Sequence, residues 1–132
     1  MHYSSQYGRK EITKLLIAKG ADVNSKEGNE DSTPLHWATD KGHKEIAELL
    51  IAKGADVNAR NFYETTPLHY AANNGHIEVA GLLIAKGADT NAKCQHDETP
   101  LDLAESGKFT EIADLLRKHG GKTGEELKAE GK

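Results

Sequence analysis

The chain has a single cysteine, Cys94, so no disulfide can close within it. Aromatic residues are scarce at 5%, and no apolar run approaches the roughly 18 to 20 residues that a membrane-spanning helix needs. A transmembrane protein is therefore not expected. The opening residues Met1-His2-Tyr3-Ser4-Ser5-Gln6 show no basic stretch followed by an apolar one, and no Asn-X-Ser/Thr acceptor occurs. These absences together favour a reducing, cytoplasmic setting. Seventeen basic residues against 21 acidic ones give a net charge of −4. No concentrated Lys/Arg surface is available for a nucleic-acid partner. The 132 residues suffice for one domain with a real core.

What is present is a repeat. "TPLHWA" begins at 33, "TPLHYA" at 66 and "TPLDLA" at 99, 33 residues apart. A second block recurs in step: "GRKEITKLLIAKGADVN" from 8, "GHKEIAELLIAKGADVN" from 42, "GHIEVAGLLIAKGADTN" from 75, and a decayed "KFTEIADLLRKHGG" from 108. The first two copies are 34 apart, so one extra residue falls in the linking segment "SKEGNEDS". Residue 1 falls inside a repeat, without its Thr-Pro.

Each unit reads as two short helices. Thr33, Thr66 and Thr99 suit N-caps, with Pro34, Pro67 and Pro100 at the first helical position. Gly42 and Gly75 end the first helix, and Gly20, Gly54, Gly87 and Gly120 end the second. The second helix carries an i, i+3, i+4 apolar stripe: Ile46, Leu49 and Leu50; Val79, Leu82 and Leu83; Ile112, Leu115 and Leu116. Helices this short are marginal alone, so neighbouring repeats must cover the stripe, giving an all-α stacked solenoid. Its ends are expected to turn polar, with Ser4 in the column of Ala38, and Arg117 and Lys118 where Ile51 and Ala52 stand. The tail "GKTGEELKAEGK" reads as a solvated cap in which Thr123 and Glu126 can start a last short helix.

The 33-residue period, Thr-Pro-Leu-His, Gly-His and Gly-Ala-Asp-Val-Asn together resemble the ankyrin repeat. The resemblance covers residues 1–121: a partial first repeat at 1–29, repeats at 30–62 and 63–95, and a C-terminal capping repeat at 96–121, followed by a polar tail at 122–132. It implies helix-turn-helix units joined by finger-like β-turn loops, with the first helices lining a concave face, and a role in binding other proteins. It also implies that the motif His bridges its Thr and a neighbouring loop, a role that carries to His36, to His69 and, without a Thr before it, to His2. Three departures stand out. Asp102 replaces the motif His, which predicts that the bridge to a neighbour is lost. Gly107 comes one residue early, leaving Lys108 and Phe109 in the Gly-His positions and the shape of that turn open. Asp31, Glu64 and Asp97 replace the family's Gly two residues ahead of the motif Thr, which makes the fingertips acidic.

Catalytic chemistry finds no residues to stand on. His2, His36 and His69 form one repeat column and His43 and His76 another, a whole repeat apart and too distant to share an ion. His96, His119 and Cys94 match no ligand spacing. Gly-Lys-Thr at 121–123 has Leu116 where a phosphate loop needs Gly, and it follows a helix rather than a strand. No enzyme activity, cofactor or metal is expected.

The aromatics are distributed unevenly: Tyr3, Tyr7, Trp37, Phe62, Tyr63 and Tyr70 lie on first helices or fingertips, and only Phe109 lies elsewhere. Tyr3, Trp37, Tyr70 and Leu103 share a column, so a ladder is expected with rungs about 10 Å apart, either packing rung on rung or anchoring a partner. Phe62 and Tyr63 sit at a tip where no core can absorb two rings. Thr39, Asp40, Lys41, Asn73, Asn74, Glu105 and Ser106 are polar first-helix positions with no evident packing task. The expected function is a monomeric, non-catalytic module binding another protein, possessing an acidic edge suited to a basic partner. The partner-binding candidates are Trp37, Asp40, Lys41, Phe62, Tyr63, Glu64, Tyr70, Asn73, Asn74 and Asp97. Two alternatives remain: a regulatory or targeting segment of a larger enzyme or effector, and an idealised scaffold without a natural ligand. Against the scaffold stand an exposed Cys94, the one-residue insertion and the off-register Gly107.

Overall fold

A computed structural model describes residues 1–132, and nine helices organise them. The first helices of the repeats are α1 (His2–Gln6), α3 (Pro34–Asp40), α5 (Pro67–Asn74) and α7 (Pro100–Ser106). The second helices are α2 (Lys10–Ala18), α4 (Lys44–Ala52), α6 (Ile77–Ala85) and α8 (Thr110–Lys118), and α9 (Gly124–Ala129) closes the chain. Contacts run α1 to α3 to α5 to α7 in one row and α2 to α4 to α6 to α8 in the other, with α3 on α4, α5 on α6 and α7 on α8 within repeats. This is an all-α solenoid. The only β pairing is an isolated antiparallel bridge between Glu27 and Ser32, at the base of the first finger. Four residues separate its partners, against three in the backbone pairs Asn61–Thr65 and Cys94–Glu98, so the extra residue lies at that fingertip.

The core follows the stripe. Leu35, Leu68 and Leu101 with Ala38, Ala71 and Ala104 are wholly buried on the first helices. Ile46 and Leu50, Val79 and Leu83, and Ile112 and Leu116 face them from the second helices. Alanine between two helices lets their backbones approach closely enough for these aliphatics to interlock.

Glycine at the end of each first helix has two duties. Gly8, Gly42 and Gly75 adopt φ of +68°, +73° and +76°, and the ring of the next repeat lies against each of them. A Cβ on Gly42 would sit 2.7 Å from the His76 ring, and one on Gly75 would sit 2.6 Å from Phe109. The early Gly107 does not distort the last turn, because Lys108 itself takes the left-handed conformation at φ +60°. No ring follows it, so only the conformational duty remains there, and that duty a lysine can meet at a cost of about 1–2 kcal/mol.

Both ends differ from the polar caps expected of them. Ser4 is buried, and its hydroxyl accepts a 2.9 Å hydrogen bond from Thr13, which stands where α4 and α6 carry Ala47 and Ala80. The polar pair satisfies itself inside the first repeat and does not face water. The surface at that end exposes two aliphatic side chains beside the charged pair Glu11 and Lys14: Ile12 and Leu15 are 49% and 57% exposed, whereas the equivalents of Ile12, namely Ile46 and Val79, are each 2% exposed. At the other end Arg117 faces solvent as expected, pairing with Glu126 at 2.7 Å, but the tail is not merely solvated. Thr123 and Glu126 form a capping box that starts α9, and Leu127 of that helix is buried.

Asp102 also departs from expectation, since its bridge survives. One carboxylate oxygen accepts from the backbone N–H of Thr99 at 2.8 Å and from that of Gly124 at 2.8 Å. The neighbour it reaches is the start of α9, whose amides suit an anion better than an imidazole. The shared glycine geometry yields a paired test. Gly42→Ala is expected to lower stability by more than about 2 kcal/mol, through left-handed strain plus collision with His76. Lys108→Gly is expected to raise it by about 0.5–1 kcal/mol, and urea denaturation of both variants measures the two signs.

Candidate functional site

The fingers are rigid because each one is tied to the next. Phe62 N–H donates to Glu30 O at 2.7 Å, and Gln95 N–H donates to Tyr63 O at 3.0 Å. Within the second finger, buried Asn61 accepts from the backbone N–H groups of Tyr63 and Thr65, both at 3.0 Å. Its amide donates to the Tyr70 hydroxyl at 3.1 Å. The repeat pattern could not reveal this residue, because Glu27 and Cys94 hold the corresponding positions; the available signal was the preference of Asn for initiating turns.

On this frame Phe62 and Tyr63 are 64% and 44% exposed, their rings edge to face with centroids 5.3 Å apart. The acidic tip residues Asp31, Glu64 and Asp97 all adopt positive φ, at 52°, 60° and 60°. All three side chains are exposed, and Glu64 lies 3.6 Å from Arg60. Two members of the aromatic column meet rings outside it. Tyr3 is 69% exposed and packs on Tyr7, while Tyr70 is half-buried and meets His36 edge-on. Trp37 is half-buried beside a cavity of about 190 Å³ lined by Glu30, Ser32, His36, Trp37, Asp40 and Tyr70. Burial and the Glu30 carboxylate push the Tyr70 phenol up to about 12, so it stays protonated and donates to Glu30.

Several polar first-helix residues turn out to have packing tasks. Thr39 is fully buried, its hydroxyl facing the Leu35 and His36 carbonyls at 3.0 Å. Asn74 donates to the Asp40 carboxylate at 2.8 Å and to its carbonyl at 3.0 Å, which joins α5 to α3. Lys41 and Asn73 remain exposed, as do Glu105 and Ser106, with Glu105 3.6 Å from Arg117. Cys94 is half-buried rather than exposed.

The histidines hold neighbouring repeats together. Thr33 N–H donates to His36 Nδ1 at 3.0 Å, which fixes the proton on Nε2, and Nε2 donates to Thr65 O at 2.9 Å. His69 repeats this with Thr66 and Glu98 O. His2 Nε2 reaches Ser25 O and Ser32 O at 2.8 and 2.9 Å, with Glu27 at 3.0 Å on Nδ1 in place of the missing Thr. His43 and His76 reach Gln6 O and Asp40 O. A second bridge was not anticipated: Asn24, Asn58 and Asn91 each donate to a glycine carbonyl of the following unit and accept an amide from it. Its signal was present in the recurring final Asn of "GADVN" and "GADTN".

Helical hairpins stacked through His and Asn bridges, with fingers projecting from one side, define a repeat-type binding scaffold. Family profiles agree: one described as "Ankyrin repeats (3 copies)" matches residues 1–61, and one described as "Ankyrin repeats (many copies)" matches residues 50–104. The chain belongs to the ankyrin repeat family, whose repeats are generally non-catalytic modules of protein–protein interaction. No curated relative matches it. No helix is long and apolar enough to cross a membrane.

The neutral histidines make stability depend on pH. Burial lowers His36 from 6.5 to about 4 and lowers His69 as well. As pH falls the unfolded chain takes up these protons first, so their contribution is whole above about pH 6.5 and is lost on the way to the folded value. His36 alone accounts for about 3 kcal/mol between pH 6.5 and 4. Denaturant melts across that range are expected to show falling stability already above pH 5, before most carboxylates titrate; a flat profile would contradict the neutral-bridge assignment.

Proposed function

We propose that the chain binds a protein partner through its fingertip loops and the concave face of the first helices, without chemistry of its own. The observation that carries this reading is the Phe62–Tyr63 pair, two rings held in water by a finger whose backbone is pinned on both sides. A pre-ordered platform loses little freedom on binding, and large aromatics are the side chains that anchor interfaces. Trp37 and Tyr70 extend the platform onto the helix face, with Lys41 and Asn73 as exposed polar contacts. Asp40 and Asn74 help only at their exposed edges, since they are already engaged with each other.

The partner presents a basic edge to the tips. Asp31, Glu64 and Asp97 each hold a left-handed conformation that glycine would adopt without strain, and acids stand there in all three fingers. Glu30 and Glu98 add charge beside them. Strain retained three times over at exposed acidic positions supports a role for the charge itself.

The test compares wild type with the F62A/Y63A double variant, each immobilised and exposed to lysate of the native cell under quantitative proteomics. Loss of specifically captured proteins by about tenfold, with the melting temperature moving by less than about 2 °C, supports the reading. Unchanged capture with a sharply lower melting temperature would make the pair structural.

A further inference from the structure

The cavity between α3, α5 and the first finger has a composition that the stack does not require. Its lining includes the two aromatic residues Trp37 and Tyr70 and the two acidic residues Glu30 and Asp40. No lysine or arginine lines it. The Glu30 carboxylate has no basic side chain within 4 Å, and its one hydrogen-bond partner is the Tyr70 hydroxyl at 3.3 Å. Asp40 keeps one oxygen on Asn74, and its other oxygen is 3.8 Å from exposed Lys41. His36, the remaining titratable group on the lining, has both ring nitrogens engaged with Thr33 and Thr65. It is neutral at ordinary pH because burial disfavours its charged form. The lining therefore carries two carboxylates and two aromatic rings and no lysine or arginine. The one cation within 4 Å of either carboxylate is exposed Lys41, 3.8 Å from one oxygen of Asp40, so Glu30 is the carboxylate without a charged partner.

At about 190 Å³ it is well below the roughly 300–1,000 Å³ of small-molecule sites. One side chain fills such a space. A cation over an aromatic face gains from the ring quadrupole, and the gain rises when water is displaced. We infer that this cavity receives a cationic side chain, arginine in preference to lysine, from the bound protein partner. Arginine is favoured because its planar guanidinium can lie along Trp37 while its N–H fork reaches the carboxylates of Glu30 and Asp40. The inference rests on the chain being a protein-binding module, and it gives the basic edge of the partner a specific seat, separate from the exposed rings of Phe62 and Tyr63.

Trp37 is the only tryptophan, so its indole N–H is a unique reporter. The experiment titrates Nα-acetyl-arginine amide into the ¹⁵N-labelled full chain at millimolar concentrations. Parallel titrations use Nα-acetyl-lysine amide and Nα-acetyl-citrulline amide, the latter an uncharged near-isostere of arginine. The expected result is a saturable shift of the Trp37 indole and of Tyr70 amide signals. Lysine amide should bind more weakly, and citrulline amide at least about fivefold more weakly than arginine. Glu30→Gln and Asp40→Asn keep an oxygen to accept from Tyr70 and Asn74, so a dispersed spectrum verifies their fold. Each is expected to weaken the arginine complex severalfold. Equal binding of citrulline, shifts confined to Phe62 and Tyr63, or no saturable shift would overturn the assignment. Because these probes need no partner, a failure here leaves the fingertip reading standing. Failure of the F62A/Y63A comparison likewise leaves the cavity result unaffected.

Discussion

No repeat in this chain can complete its own hydrogen bonds or bury its own stripe, and the structure depends on that insufficiency. A helix pair of seven and nine residues, such as α3 and α4, is too short to persist alone. Each pair therefore borrows: His36 reaches the carbonyl of Thr65, Asn58 reaches that of Gly87, and the His76 ring seats on Gly42. These contacts run between adjacent units, so stability accumulates along the stack as nearest-neighbour increments. The buried histidines place part of that stability under proton control, because a charged imidazole can neither accept from Thr33 nor tolerate the site's low polarity.

The period, the caps and the aliphatic stripe were legible in the sequence because stacking imposes the same demand on every unit. Thr33, Thr66 and Thr99, Leu35, Leu68 and Leu101, and the glycine column all report that demand directly. Where a column changes, its meaning depends on whether the neighbour is still there. Lys108 can stand in the Gly column because no ring of a following repeat seats on it, the Phe109 ring lying instead against Gly107, and Asp102 replaces His because the neighbour is the amide-rich start of α9. A single sequence displays both substitutions but not the neighbour that makes them acceptable. The same limit hid the fate of Ser4, whose burial is intelligible only with Thr13 of α2 opposite it.

Of the candidate site, the exposed pair Phe62 and Tyr63 was readable because a turn tip offers no core. For Tyr70 and Trp37 the repeat pattern set the column but not the partners of each ring. Column position does not foretell that the Tyr70 hydroxyl meets Asn61 and Glu30, or that its ring stands near-perpendicular to that of His36. Polarity misled at Thr39, Asp40 and Asn74, since a hydroxyl or amide on a first helix can satisfy itself on its own carbonyls or on the adjacent helix as readily as on a ligand.

Two kinds of position emerge, and the distinction bears on recognition. Column residues answer to the next repeat and have little freedom to vary. Positions such as Glu30, Asn61, Phe62 and Tyr63 break the repeat, and they cluster where the first and second fingers meet. Their side chains are held by a frame that the columns have already made rigid: Asn61 fixes the tip, and the backbones of adjacent fingers pin one another through Glu30 and Tyr63. A surface of this kind can change its chemistry without weakening its support. Retention of strained acids at three tips follows the same logic, because a glycine there would relieve the backbone and leave the stack intact. What the stack does not demand, and even opposes, is where specificity for a partner has room to reside.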